Sequence, residues 1–176
     1  APLRLVSWAG RARGAFFLPR TRTREMTAMV EETLRATGWG TLEWRRVPVS
    51  FERFSPARRA HMPAIVQVAA VADAPGGPAP GSLDRVRAHL ESHALRHEAR
   101  GFGVVSLSTQ MVIYKGLLSP AELPLFYPDL REAAFGRPFA TVHRKISATA
   151  PPQWSMAPPV HGLAGSGEFR QAVASA

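Results

Sequence analysis

From Ala64 to Val71 the chain reads Ala-Ile-Val-Gln-Val-Ala-Ala-Val, with Gln67 as its only polar residue before Asp73 breaks the run. A half-buried strand alternates apolar and polar residues; this stretch does not, so it fits a strand buried on both faces. Such a strand needs cover on each side, which points to a layered domain. The Gly14–Pro19 run, Gly-Ala-Phe-Phe-Leu-Pro, reads as a second buried strand that Pro closes by removing a ladder donor.

Helices and turns are set between these strands. From Thr23 to Ala36 the apolar residues Met26, Met29, Val30 and Leu34 recur at helical spacing, and Gly38 supplies a stop. Leu42–Val49 reads as a strand carrying Trp44, and Phe51–His61 as a connector. Residues 74–81, Ala-Pro-Gly-Gly-Pro-Ala-Pro-Gly, deny both helix and ladder and form a flexible loop inside one domain. Ser82 is the expected N-cap of a helix that repeats Leu83, Val86, Leu90 and Ala94 as far as His97. Gly103–Ser108 and Met111–Lys115, joined by Thr109-Gln110, predict a tight hairpin. Ser119-Pro120-Ala121-Glu122 has the form of a capping box opening a short helix that Tyr127-Pro128 ends. Phe139–Ile146 reads as a further strand, and Pro151, Pro152, Pro158 and Pro159 as a rigid irregular loop.

With 176 residues, 45% of them hydrophobic, the chain can bury one sizeable core, so residues 1–176 are expected to form a single domain. No apolar run reaches about 18 residues, and Arg4, Arg11 and Arg13 interrupt the first stretch. A soluble, cytoplasmic protein with no membrane span is expected. Cysteine is absent, which removes disulfides, thiolate metal sites and any sulfur nucleophile from these residues. The formal charge of +9 raises the question of nucleic acid. The arginines are scattered, however, and pairs such as Arg45-Arg46 and Arg58-Arg59 are not interleaved with aromatics, so a solvated basic surface is the expectation.

Two constellations invite a chemical reading. His89, His93 and His97 fall at steps of four on the predicted helix, a spacing that can chelate zinc or nickel. No carboxylate or Cys completes the set at a suggestive spacing, so the expectation is a partly exposed polar face and no metal. Ser106 and Ser108 lie in a strand context without the Gly-flanked elbow that exposes a nucleophile.

Several segments then converge on one family. Tyr114-Lys115-Gly116-Leu117-Leu118, Phe126-Tyr127-Pro128-Asp129-Leu130 and Val142-His143 are followed by Ser147, Pro152, Trp154, Ala157, Pro159, Leu163-Ala164 and Gly167-Glu168. Together they resemble the amino-terminal class II glutamine amidotransferase domain of the glutamate synthase large subunit. Phe17-Leu18-Pro19, Trp44-Arg45, Val47-Pro48-Val49 and Pro63–Val68 extend the resemblance upstream.

The resemblance implies an α+β fold: a partial four-layer αββα sandwich of the N-terminal-nucleophile hydrolase type. Glutamine would lie between the sheets and be attacked by an amino-terminal Cys whose own amine acts as base. Here residue 1 is Ala, and the resemblance implies that the strand carrying the Cys, and a later acidic contact, fall outside these residues. Where the family reads His-Asn-Gly-Glu, this chain has Gly165-Ser166-Gly167-Glu168, so Ser166 replaces the amide donor to the oxyanion. Lys145 stands in place of an Arg and keeps the charge without the planar fork. Lys145, Ser147, Ser166, Gly167 and Glu168 are thus remnant substrate or oxyanion positions, with His143 and Trp154 as further ligand contacts and no catalytic residue.

Three functions follow as expectations. The first is a domain that is non-catalytic alone and acts in assembly or amino-acid sensing, with glutamine or glutamate as ligand. Its partner would be a second copy or glutamate synthase components, because a sheet lacking its first strands exposes edges. The second is one fragment of a split amidotransferase completed by another chain, and the third a basic nucleic-acid-binding domain. No cofactor is implied.

Overall fold

The computed structural model describes residues 10–52, 54–119, 121–132, 154, 162–165 and 168–171, with Thr41 and the last two segments as backbone only. Strands β1 (Arg11–Leu18), β2 (Trp39–Arg46), β3 (Ala64–Ala72) and β4 (Gly103–Ser108) form one antiparallel sheet in the order β2-β3-β1-β4. The two most apolar runs, β1 and β3, are its central strands, paired from Arg11↔Val71 to Leu18↔Ala64. A separate hairpin joins β5 (Gly162–Gly165) to β6 (Glu168–Gln171).

One face of the large sheet carries the helices α1 (Thr23–Arg35) and α3 (Ser82–Arg96). Strand residues alternate between faces, so Ala12, Phe16 and Leu18 of β1 and Ala64, Val66, Val68 and Ala70 of β3 all reach this side. They meet Met26, Met29, Val30 and Leu34 of α1 and Val86, Leu90 and Ala94 of α3. Each large side chain fully buried there contributes about 1.5–3 kcal/mol, which is why the helical spacing of these residues in the sequence fixes the orientation of both helices.

The opposite face is covered by irregular chain. Residues 47–63, which include the five-residue helix α2 (Pro56–Ala60), and residues 113–130, which include α4 (Leu123–Phe126) and a 3-10 turn at Pro128–Arg131, bring Phe54, Phe126 and Tyr127 against Ala15, Phe17, Ile65 and Val105.

The described residues form an α+β arrangement with an antiparallel sheet and helices packed on it. Four expectations are corrected. The Gly103–Lys115 hairpin does not form: β4 is a strand, but residues 111–116 are not. The Ser108 hydroxyl accepts the amide of Gln110 at 3.0 Å and Ser106 that of Ile113 at 3.2 Å, so these side chains hold backbone donors that a ladder would have used. Ser82 does not cap α3; it is the first helical residue, and Gly81 takes the cap position at φ +72°, a left-handed conformation that suits Gly. The second strand spans Trp39–Arg46 in place of Leu42–Val49 because its residues register against Ala72–Val66 of β3. The Phe51–His61 connector contains α2, whose N-cap Ser55 accepts from the Arg58 amide at 3.3 Å.

The reciprocal Ser119–Glu122 hydrogen bonds of the expected capping box form, but α4 begins only at Leu123, with Glu122 in the cap position in place of Ser119. The Ser119 amide donates to Glu122 Oε2 at 2.8 Å, and the Glu122 amide to Ser119 Oγ at 3.3 Å. The expected strand at Phe139–Ile146 and the proline loop from Pro151 to Pro159 lie outside the described residues, Trp154 excepted.

Candidate functional site

Two buried charged side chains, Arg13 and Asp129, lie on the irregular face of the sheet. Register places Arg45 of β2 beside Gln67 of β3, and Gln67 beside Ala15 of β1. The Arg45 guanidinium donates to Gln67 Oε1 from Nε at 2.9 Å and from Nη2 at 2.6 Å. Nη2 also donates to the Tyr114 hydroxyl at 3.0 Å and forms a short ion pair with Asp129 Oδ2. Tyr114 completes the ring by donating to the same carboxylate oxygen at 2.7 Å. Asp129 is 1% exposed and Gln67 4%. Four separate stretches of chain therefore meet in one buried polar cluster, with Arg45 and Tyr114 both on the Asp129 carboxylate.

The chemistry of each group follows from its surroundings. Burial, followed by the hydrogen bond to Asp129, pushes the Tyr114 phenol up to about 12. It is a neutral donor, unsuited to act as a base near neutral pH. Burial also raises the Tyr127 phenol, whose hydroxyl donates to the Lys115 carbonyl at 2.8 Å. Burial, then the charge of Arg87, lowers Lys115 to about 8, opposed by Glu91. Arg13, also buried on this face, is lowered by burial and next by Arg45. The aromatic surround is continuous: Phe54 stacks on Phe126 at 5.0 Å, Tyr127 meets Phe126 edge-on at 4.6 Å, and Tyr114 meets Tyr127 edge-on at 5.0 Å.

The residues singled out from sequence are placed as follows. Trp154 is buried, edge-on to Phe17 at 5.6 Å and 5.8 Å from Phe126. Its ring closes on Gly116, where an added Cβ would come within 2.6 Å of it. Glu168 opens β6 opposite Gly165, with only its backbone described. His143, Lys145, Ser147, Ser166 and Gly167 lie outside the described residues. His89, His93 and His97 do share one side of α3, with ring centroids 6.4 and 4.2 Å apart, but among the described residues no group of three His, Cys, Asp or Glu is arranged to hold a metal ion.

Sequence reasoning did not single out Arg45, Gln67, Tyr114 and Asp129 as a site. One signal was available: Gln67 interrupts a doubly buried strand, and a polar group in that position requires a partner. The clefts bordering this region are small. One of about 230 Å³ is lined by Phe54, Leu125, Phe126, Glu52, Glu122 and Arg131, and one of about 270 Å³ by Arg58, His61, Leu117 and Trp154. Both fall below the roughly 300–1,000 Å³ typical of small-molecule pockets, so among the described residues the buried cluster is the better-defined polar feature.

An antiparallel sheet with helices on one face and a polar, aromatic-lined second face accords with the family to which the sequence corresponds. The chain belongs to the class II glutamine amidotransferases, whose family pattern it matches over residues 3–172. Within that class it is related to glutamate synthases. It is 31% identical over 161 residues to the glutamate synthase [NADPH] large chain of Azospirillum brasilense, covering 89% of this chain and 11% of that protein. It is 33% identical over 158 residues to ferredoxin-dependent glutamate synthase 2 of Synechocystis sp., covering 89% of this chain and 10% of that protein. Against the chloroplastic/mitochondrial ferredoxin-dependent glutamate synthase 1 of Arabidopsis thaliana it is 32% identical over 163 residues, with the same 89% and 10% coverage. The chain thus spans about a tenth of the length of these curated relatives. Among the described residues, no helix is long and apolar enough to cross a membrane.

Proposed function

We propose that these 176 residues act as a glutamate synthase-type amidotransferase domain that does not hydrolyse glutamine by itself and serves in assembly. The observation that carries this reading is chemical: the sequence contains no Cys, and the class II route begins from a sulfur nucleophile. The Ser106 and Ser108 hydroxyls of β4 each accept from a backbone amide of the following loop. The buried polar cluster supports the same reading, because the Arg45 guanidinium and Asp129 carboxylate are satisfied by each other and by Gln67 and Tyr114.

The test is ammonia release from glutamine, measured on the purified chain alone and after mixing with glutamate synthase components. Activity at enzymatic rates from the chain alone overturns the proposal. Activity only in the mixture supports the alternative, a split amidotransferase whose nucleophile comes from another chain. For assembly, the expected partner is a second copy or a glutamate synthase component, and light scattering at micromolar concentration should show a mass above that of a monomer. A sensing use would rest on Lys145, Ser147, Ser166, Gly167 and Glu168 with glutamine or glutamate as ligand. Calorimetric titration with each amino acid tests it, and Lys145→Met should abolish any binding seen.

A further inference from the structure

Where α1 and α3 meet at the sheet's helical face, one cluster is not used by the amidotransferase reading. Arg22, at the start of α1, donates from Nε and Nη2 to the Glu25 carboxylate at 2.8 and 2.5 Å, and from Nη1 to the His97 carbonyl at 3.0 Å. The end of α3 is thereby tied to the start of α1 across 75 residues of sequence. One turn back from His97 sits His93, the two ring centroids 4.2 Å apart and the planes tilted by 30°. The Nδ1 atom of His93 is buried with no hydrogen-bond partner among the described residues.

From this geometry we infer that the contact between α1 and the last turn of α3 is a proton-sensitive latch, closed while His93 is neutral and opened when it is protonated. A neutral imidazole in its Nε2–H tautomer leaves Nδ1 as a bare lone pair, whereas protonation puts an N–H there with no acceptor. It also sets a cation against the His97 ring, with Arg96 and His89 on the same helix and Arg22 facing from α1. The carboxylate facing the pair is Glu25, already engaged by Arg22. The partial negative charge at the helix C-terminus favours imidazolium, but desolvation and then the neighbouring charges outweigh it and hold His93 below the ordinary histidine value. Because the folded value is depressed, stability is complete above the unfolded value and is lost as pH falls through the folded one.

The test is an NMR titration of the histidine ring protons of the full chain from pH 8 to pH 5, with amide exchange followed along α3. The expected result is that His93 titrates below 6.5, that amides near Arg96 lose protection in the same transition, and that the melting temperature falls by on the order of 2–4 °C. His97→Gln should move the His93 midpoint upwards, and Glu25→Gln should move it downwards. His93 titrating at its ordinary value with α3 protection unchanged overturns the inference, as does a midpoint indifferent to both substitutions. Both decisive readouts use the unmodified chain or substitutions outside His93, so a His93 variant that fails to fold does not affect the outcome.

Discussion

The two faces of the four-stranded sheet draw alternate residues from the same strands and bury them by different means. On the helical face, Phe16, Val66 and Val68 meet α1 and α3 through apolar contacts alone. On the irregular face, Gln67 and Arg45 are held with Tyr114 and Asp129 inside an aromatic surround. Apolar packing is graded: Leu34→Met on α1 should cost under about 1.5 kcal/mol, because volume is nearly conserved. A buried ion pair is not graded. Removing one member leaves the other desolvated and unpaired, which costs about 3–5 kcal/mol.

The largest expected effect is therefore Asp129→Ala, with a loss of about 3–5 kcal/mol in urea denaturation. Replacing both charges with Arg45→Met and Asp129→Leu together should recover much of that loss, since the penalty lies in the uncompensated Arg45 and not in the absence of attraction. If Asp129→Ala costs no more than Leu34→Met, the contrast between the faces fails.

The next effect runs in the opposite direction. Lys115 is 7% exposed, with the like charge of Arg87 and the opposite charge of Glu91 as its electrostatic neighbours, and burial lowers it from 10.5 to about 8. Between those values the unfolded chain binds more protons than the folded one, so stability rises with pH from about 8 towards 10.5. Lys115→Met should stabilise the domain by on the order of 2 kcal/mol below pH 8, and the gain should fade as pH approaches 10.5. Melting temperatures of both forms at pH 7 and pH 10 measure it; an equal difference at the two values would show that the ammonium carries no burial penalty.

What was legible in the sequence follows from the same contrast. The helical face could be read because it is periodic: Met26, Met29, Val30 and Leu34 specify α1 without reference to the rest of the chain. The capping box was legible because Ser119 and Glu122 are three residues apart. The polar face was not, because Arg45 reaches Gln67 across 22 residues and Asp129 across 84, separations that leave no periodic trace. Each member falls in a segment that carries the family resemblance, yet the resemblance did not say that the segments meet. The failed hairpin has a local cause, since two serine hydroxyls took the amides on which strand pairing would have depended.

The smallest effect tests whether charge on the polar side matters when it is not buried. Glu122 lies at the rim of that face, accepting from the Ser119 amide and from Arg58 Nη1 at 2.9 Å, and the Arg58 guanidinium lies 4.1 Å from the centre of the Phe54 ring. The Ser119 amide, followed by Arg58, holds this carboxyl near 2, well below its ordinary 4.5. A depressed carboxyl contributes stability that is present above its unfolded value and lost as pH falls through the folded one, so the contribution should disappear between about pH 4.5 and pH 2. Its side chain is 29% exposed, so water screens the pair and the cap is the main contributor. Glu122→Ala should cost about 0.5–1 kcal/mol at pH 7 and close to nothing at pH 2. A loss at pH 7 as large as that of Asp129→Ala would mean that burial does not decide the value of a charge on this face.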